Sequence, residues 1–218
     1  MNLKLISALA AVGLMSAAPA FSETVTLKFD GASSFQSLDG FYSGGTDTGG
    51  ASGTNYGISF GLDAQALANS DDESFYSNAP SPGAVMTING TESLGSTSMN
   101  AVGGLSLLGQ MNFFYSLTDT TTVSAWSGLN GTGTKLGEIT LASNGTIGGC
   151  ADSSSFCIWT AATLSWDGLA KSIQFGDAYG KGGFDDVSVN AVPLPAAGWL
   201  LMSALGGIGA WRRKRAAA

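Results

Sequence analysis

Apolar and β-branched positions recur along the middle of the chain in short runs, many of them alternating with polar residues. The runs are 24–29, 56–60, 84–88, 110–115, 121–126, 136–141, 158–166, 172–175 and 184–189. A period of two over four to eight residues marks a strand with one buried face. Turn dipeptides stand between the runs: Asp39-Gly40, Asn89-Gly90, Asn130-Gly131, Asn144-Gly145 and Asp167-Gly168. Each supplies residues that tolerate the positive φ of tight hairpins. Residues 44–54 are Gly/Ser/Thr-rich and read as a long loop, 64–69 as a single helical turn, and 70–82 as a second loop. The pattern predicts an all-β domain, a β-sandwich of jelly-roll type.

The two ends break this pattern. Residues 1–20 carry Lys4, an apolar run from Leu5 to Ala18, and the small-x-small site Ala18-Pro19-Ala20, the signature of a cleavable signal helix. Cleavage after Ser22 is a second option. At the other end, Val192 to Trp211 is 20 residues without a charge. At about 1.5 Å per residue the stretch spans roughly 30 Å, a bilayer's hydrocarbon thickness. Trp199 and Trp211 sit near its ends, where indoles favour the headgroup region, and Arg212-Arg213-Lys214-Arg215 places the C-terminus in the cytoplasm. The sequence divides into a signal peptide (1–20), a β-sandwich ectodomain (21–191), and a C-terminal segment (192–218) with one transmembrane helix.

The order Val192-Pro193-Leu194-Pro195-Ala196, apolar helix, basic end resembles the VPLPA variant of the PEP-CTERM sorting signals. The resemblance implies export across the inner membrane of a Gram-negative bacterium that makes extracellular polysaccharide. It implies a transient membrane anchor, processing by an exosortase-type enzyme, and delivery to the cell surface or matrix. It extends into the ectodomain through Phe41-Tyr42-Ser43-Gly44-Gly45, residues 54–60, Cys150 and Cys157 before Trp159, and residues 184–189. It describes sorting and assigns no activity.

All 16 acidic residues fall within 21–191, against four lysines, a net charge of −12. Nucleic acid needs a basic patch and is excluded as a partner. The chain has no histidine, which removes His-based triads and His-ligated zinc. The only two cysteines, Cys150 and Cys157, are a close even pair in an exported chain, so a disulfide is expected.

Candidate chemistry narrows to carboxylates and aromatics. Asp185 and Asp186 are adjacent on a strand, so one must face inward, where an unpaired charge is costly. Two solutions stand side by side. The buried carboxylate accepts backbone N–H groups, or it binds structural calcium. Carbohydrate-binding jelly rolls resemble the second arrangement, with Asp30 as the matching early residue. Seven aromatics are capable of stacking on sugars: Trp126, Trp159, Trp166, Tyr42, Tyr56, Tyr76 and Tyr179. Most sandwich aromatics are core, which leaves Tyr76 and Tyr179, read as loop residues, as the ligand candidates. The three Asn-Gly-Thr sites, at Asn89, Asn130 and Asn144, read as turns rather than glycosylation sites. The expected function is a non-enzymatic surface or matrix protein, structural or adhesive, in contact with exopolysaccharide. The rival is an extracellular polysaccharide hydrolase built on paired carboxylates, with Asp71-Asp72-Glu73 as the other acidic cluster.

Overall fold

The computed structural model describes residues 22–68, 75–89, 96–145, 150 and 154–193. The expected signal segment (1–20), the acidic cluster at 71–73 and the tail from Leu194 onward lie outside the described residues. Among the described residues no helix is long and apolar enough to cross a membrane.

Among the described residues twelve strands form two sheets: β1 (Glu23–Leu27), β2 (Gln36–Ser37), β3 (Ile58–Phe60), β4 (Ala64–Ala68), β5 (Ala84–Ile88), β6 (Thr97–Ala101), β7 (Leu105–Leu117), β8 (Thr121–Trp126), β9 (Lys135–Leu141), β10 (Thr160–Ala170), β11 (Ser172–Gly176) and β12 (Gly182–Pro193). One sheet runs β10-β7-β12-β5-β4-β2, with β1 also on β12; the other runs β3-β6-β11-β8-β9. Every ladder between named strands is antiparallel. The all-β sandwich expected from the alternation is therefore present.

The core lies between the sheets. Phe184 of β12 is fully buried, 4.8 Å from Phe175 of β11 and 6.0 Å from Phe113 of β7 between ring centroids. Leu27, Met86, Met111, Ile173 and Val189 fill the same layer. Two departures from the sequence reading are local. Residues 64–68 form β4 rather than a helical turn, because Ala64 and Ala66 belong to the core while the strand pairs with β5 on one side and β2 on the other. β6 was not expected, since Thr-Ser-Met-Asn-Ala has no β-branched run. It is a strand because Met99 and Ala101 are core while Ser98 and Asn100 point the other way.

The β8–β9 hairpin follows the turn chemistry. Asn130 and Gly131 both have positive φ, 54° and 66°, which suits a primed turn. Asn100 clamps this turn, accepting from the Asn130 N–H (2.8 Å) and donating to its side-chain oxygen (2.9 Å). Asn144 is likewise structural: it accepts from Leu117 N–H and donates to Tyr115 C=O and Thr160 Oγ1.

A second, smaller cluster comprises Leu67, Tyr76, Val85 and Phe156. The Cys150–Cys157 disulfide is formed, with Cα atoms 5.8 Å apart. It closes the loop that delivers Phe156 onto Tyr76 (stacked, 5.0 Å), and the Trp159 indole N–H ties down Ser77 C=O.

Phe184→Ala removes a ring that three strands share. It should cost about 3–5 kcal/mol of unfolding free energy, read by denaturant melts. A loss below about 1 kcal/mol would mean that the layer is not packed as described.

Candidate functional site

Of the acidic residues singled out in the sequence, Asp185 and Asp30 both bond to the 81–84 segment that leads into β5. β12 pairs with β5 through Gly183 and Phe184, and with β1 from Val187 onward. A bulge at Asp185–Asp186 separates the two pairings, with Asp186 at φ 48°. Asp tolerates this left-handed conformation better than most residues. β1 ends and β5 begins beside this bulge.

Asp185 is fully buried and satisfied by protein donors. Its Oδ2 accepts from Ser81 N–H at 2.8 Å, and its Oδ1 from Asp186 N–H at 2.7 Å and from the Ser81 hydroxyl at 2.8 Å. Ser81 Oγ also lies 3.2 Å from Lys28 C=O, just past the end of β1. Asp30 Oδ1 accepts from Gly83 N–H (3.0 Å) and Ala84 N–H (3.3 Å) at the start of β5. A Cβ on Gly83 would stand 2.1 Å from that oxygen and would push the carboxylate off these donors. Asp186 Oδ1 is buried without a partner.

Of the three expected calcium ligands, Asp185 accepts from N–H and O–H donors and Asp30 from two backbone N–H groups. Among the described residues no group of three or more potential ligands gathers to hold a metal. The buried carboxylate accepts backbone N–H groups from Ser81 and Asp186. Asp185 is also closed off from any cleft, unlike a hydrolase carboxylate.

The aromatic candidates separate. Tyr76 is only 4% exposed, stacked in the small cluster, and so is not available to a ligand. The loop reading failed there because the disulfide-closed segment folds over the loop. Tyr179 is 41% exposed, beside Ile88. The residue that the sequence reading passed over is Tyr56. The alternation reads 56–60 as a strand, but β3 starts at Ile58 and leaves Tyr56 in the preceding loop, half-buried. The glycine directly after it, Gly57, was the available signal.

Tyr56 stands on the wall between two cavities. One, about 460 Å³, is bordered by Glu23, Ser43, Asn55 and Pro193; the other, about 270 Å³, by Lys28, Asp30, Ser52 and Thr54. Tyr56 lines both. Behind it Tyr42 stacks at 5.9 Å and 28°. Tyr42 is buried, packs edge-on against Phe41 and Phe29, and accepts from Phe29 N–H at 2.7 Å. Burial pushes its phenol well above the usual range, so it stays neutral. The loop carrying the groove is pinned by buried Asp47, which accepts from Ser33, Gly49 and Ala51 N–H at 2.7–2.9 Å. Those bonds outweigh desolvation and hold its carboxyl below the usual value.

A third cavity, about 390 Å³, lies beside the Asn130 turn and is lined by Ser98, Gln174 and Asp63 without an aromatic ring. Of the residues expected to form a sorting motif, Val192 and Pro193 are in β12, opposite Ser106 and Leu105 of β7. Leu194, Pro195, Ala196, Arg212, Arg213, Lys214 and Arg215 lie outside the described residues.

No family model and no curated protein matches the chain. Solved structures similar to it include a mutant of CBM29-2, a family 29 carbohydrate-binding module. That match has TM-score 0.42 and 14% identity, and covers 78% of this chain and 93% of that one. Another is the K2 cleaved adhesin domain of Lys-gingipain, with TM-score 0.45 and 12% identity over 77% of this chain and 99% of that one. The K3 cleaved adhesin domain of Lys-gingipain from Porphyromonas gingivalis w83 gives TM-score 0.35 and 16% identity over 76% and 98%. At these scores no functional conclusion follows from the likeness.

Desolvation raises the Asp185 carboxyl to about 6, and the geometry accommodates the proton. A protonated Asp185 donates to Ser81 Oγ, whose own hydrogen then turns to Lys28 C=O. A folded pKa above the unfolded value of about 3.9 means that the contribution is fully present below that pH. It is lost as pH rises through about 6. The loss is on the order of 3 kcal/mol across that window, which no histidine clouds. Stability should therefore fall between pH 4 and 7 in the native chain, and this slope should vanish in Asp185→Asn, measured by urea melts at each pH. An equal slope in both would remove Asp185 as its source.

Proposed function

We propose that this chain is an exported, non-catalytic surface or matrix protein: a jelly-roll-like ectodomain with a structural or adhesive role in contact with exopolysaccharide. It is delivered by a tail of the VPLPA type and processed by an exosortase-type enzyme. The observation that supports this reading most is where the domain's first and last strands lie. Glu23 pairs with Ala191, so the chain enters and leaves the sandwich at one end. Val192 and Pro193 continue β12, the strand that joins β1, β5 and β7. This placement suits a domain held by one end against a surface. Pro193 at the strand's last position costs the ladder little, as proline there gives up only a terminal donor.

The hydrolase alternative gains nothing from the buried Asp185. The −12 charge of residues 21–191 suits solubility outside the cell and disfavours anionic partners.

Protein recovered from its host's surface should have an intact mass lacking both the signal segment and the apolar basic tail. A Pro193→Ala/Pro195→Ala variant should stay full-length at the C-terminus and remain in the membrane fraction. Wild-type protein that keeps its tail in cells with active processing would identify a plain single-span protein instead.

A further inference from the structure

We propose that the groove divided by Tyr56 is a saccharide-binding site for a neutral hexose polymer. This inference rests on the reading of the chain as a polysaccharide-contacting surface protein and gives that contact a place and a chemistry. Two stretches quoted in the family resemblance, 41–45 and 54–60, lie near the two ends of the loop between β2 and β3, the second running into β3. They are brought together here by main-chain bonds: Tyr56 N–H and Ile58 N–H both donate to Tyr42 C=O, at 2.8 and 3.1 Å, and Gly53 N–H donates to Phe41 C=O at 3.0 Å. What they build is an aromatic ring between two cavities rimmed with hydroxyl and amide groups.

Each part matches what a sugar chain requires. A pyranose has an apolar C–H face that lies on an aromatic ring, and a rim of hydroxyls that needs short neutral donors and acceptors. Tyr56 supplies the ring at the point where the cavities meet. Ser43 and Asn55 on one side, and Ser52 and Thr54 on the other, supply the rim. The two cavities, about 460 and 270 Å³, allow consecutive units of a polymer to lie on either side of the ring.

The platform is fixed before any ligand arrives. Tyr42 backs Tyr56 and is itself locked by Phe29 and Phe41, while Asp47 holds the loop. A rigid aromatic loses little freedom on binding. The charges on the rim, Glu23, Lys28 and Asp30, sum to −1 in a domain of −12, so an anionic polymer is repelled.

Native affinity gels containing dextran, laminarin, pullulan or galactan, with alginate as the anionic polymer, test this on the full ectodomain. At least one neutral polymer should retard the wild type, and alginate should not. Tyr56→Ala should weaken that retardation roughly tenfold or more, Tyr56→Phe should preserve it, and Tyr179→Ala should leave it unchanged. Ser52→Trp, which fills the smaller cavity from an exposed position, should also abolish it. Melting curves establish that each variant is folded, and Ser52→Trp carries the test if Tyr56→Ala is not. Retardation by none of the neutral polymers, stronger retardation by alginate, or full retention in folded Tyr56→Ala or Ser52→Trp would each overturn the site. None of these results bears on tail processing, which the intact mass reads separately.

Discussion

A buried carboxylate–hydroxyl contact at the bulge of β12 decides how the larger sheet is put together. β12 cannot offer one continuous edge to two strands of different origin. At Asp185–Asp186 the strand bends, and its edge passes from β5 to β1. Ser81 fills the gap, bonded to Asp185 through both N–H and Oγ and reaching Lys28 C=O at the end of β1. Asp30 caps the start of β5 from the other side. Without donors at this point a buried carboxylate would cost several kcal/mol. With them, β1 and β5 are held to the same strand that delivers Phe184 and Val187 to the core.

The placement of β1 has functional weight because β1 forms one wall of the Tyr56 groove. Glu23 borders its larger cavity, and Lys28, with Asp30 just beyond, borders the smaller. The opposite wall is the 41–57 loop, anchored through Tyr42 to Phe29 and through Asp47 to Ser33. One junction thus sets the groove's width, while the far end of β12 carries Val192 and Pro193, where the proposed sorting motif begins. The proposed ligand contact and the proposed tether would use the same strand without sharing residues of its bulge.

The alternation of apolar and polar positions was enough to read the sandwich, since β5 and β8 coincide with the expected runs and seven others fall within a few residues. It failed where burial comes from small or polar side chains, as in Ala64–Ala68 and Thr97–Ala101. The disulfide was legible from spacing and compartment alone. The aspartates were legible as a conflict, a buried charge needing a partner. The partner was not, because Ser81 lies about 100 residues from Asp185 in the chain and carries no local pattern. Tyr56 and Tyr76 were exchanged for a similar reason. Which aromatic is covered depends on what folds over it, and neither the Phe156 loop nor the late start of β3 can be seen in a one-dimensional pattern. The proposed sorting tail stands apart, since that reading rests on order and position rather than on packing.

Native-state hydrogen exchange on Ser81→Ala tests the junction most directly. The account predicts that amides of β1 and β5 lose protection together, while those of β11 and β8 in the other sheet keep theirs. If β1 and β5 exchange as in the wild type, or if protection falls equally in both sheets, the contact does not hold the two strands to β12 and the account is contradicted.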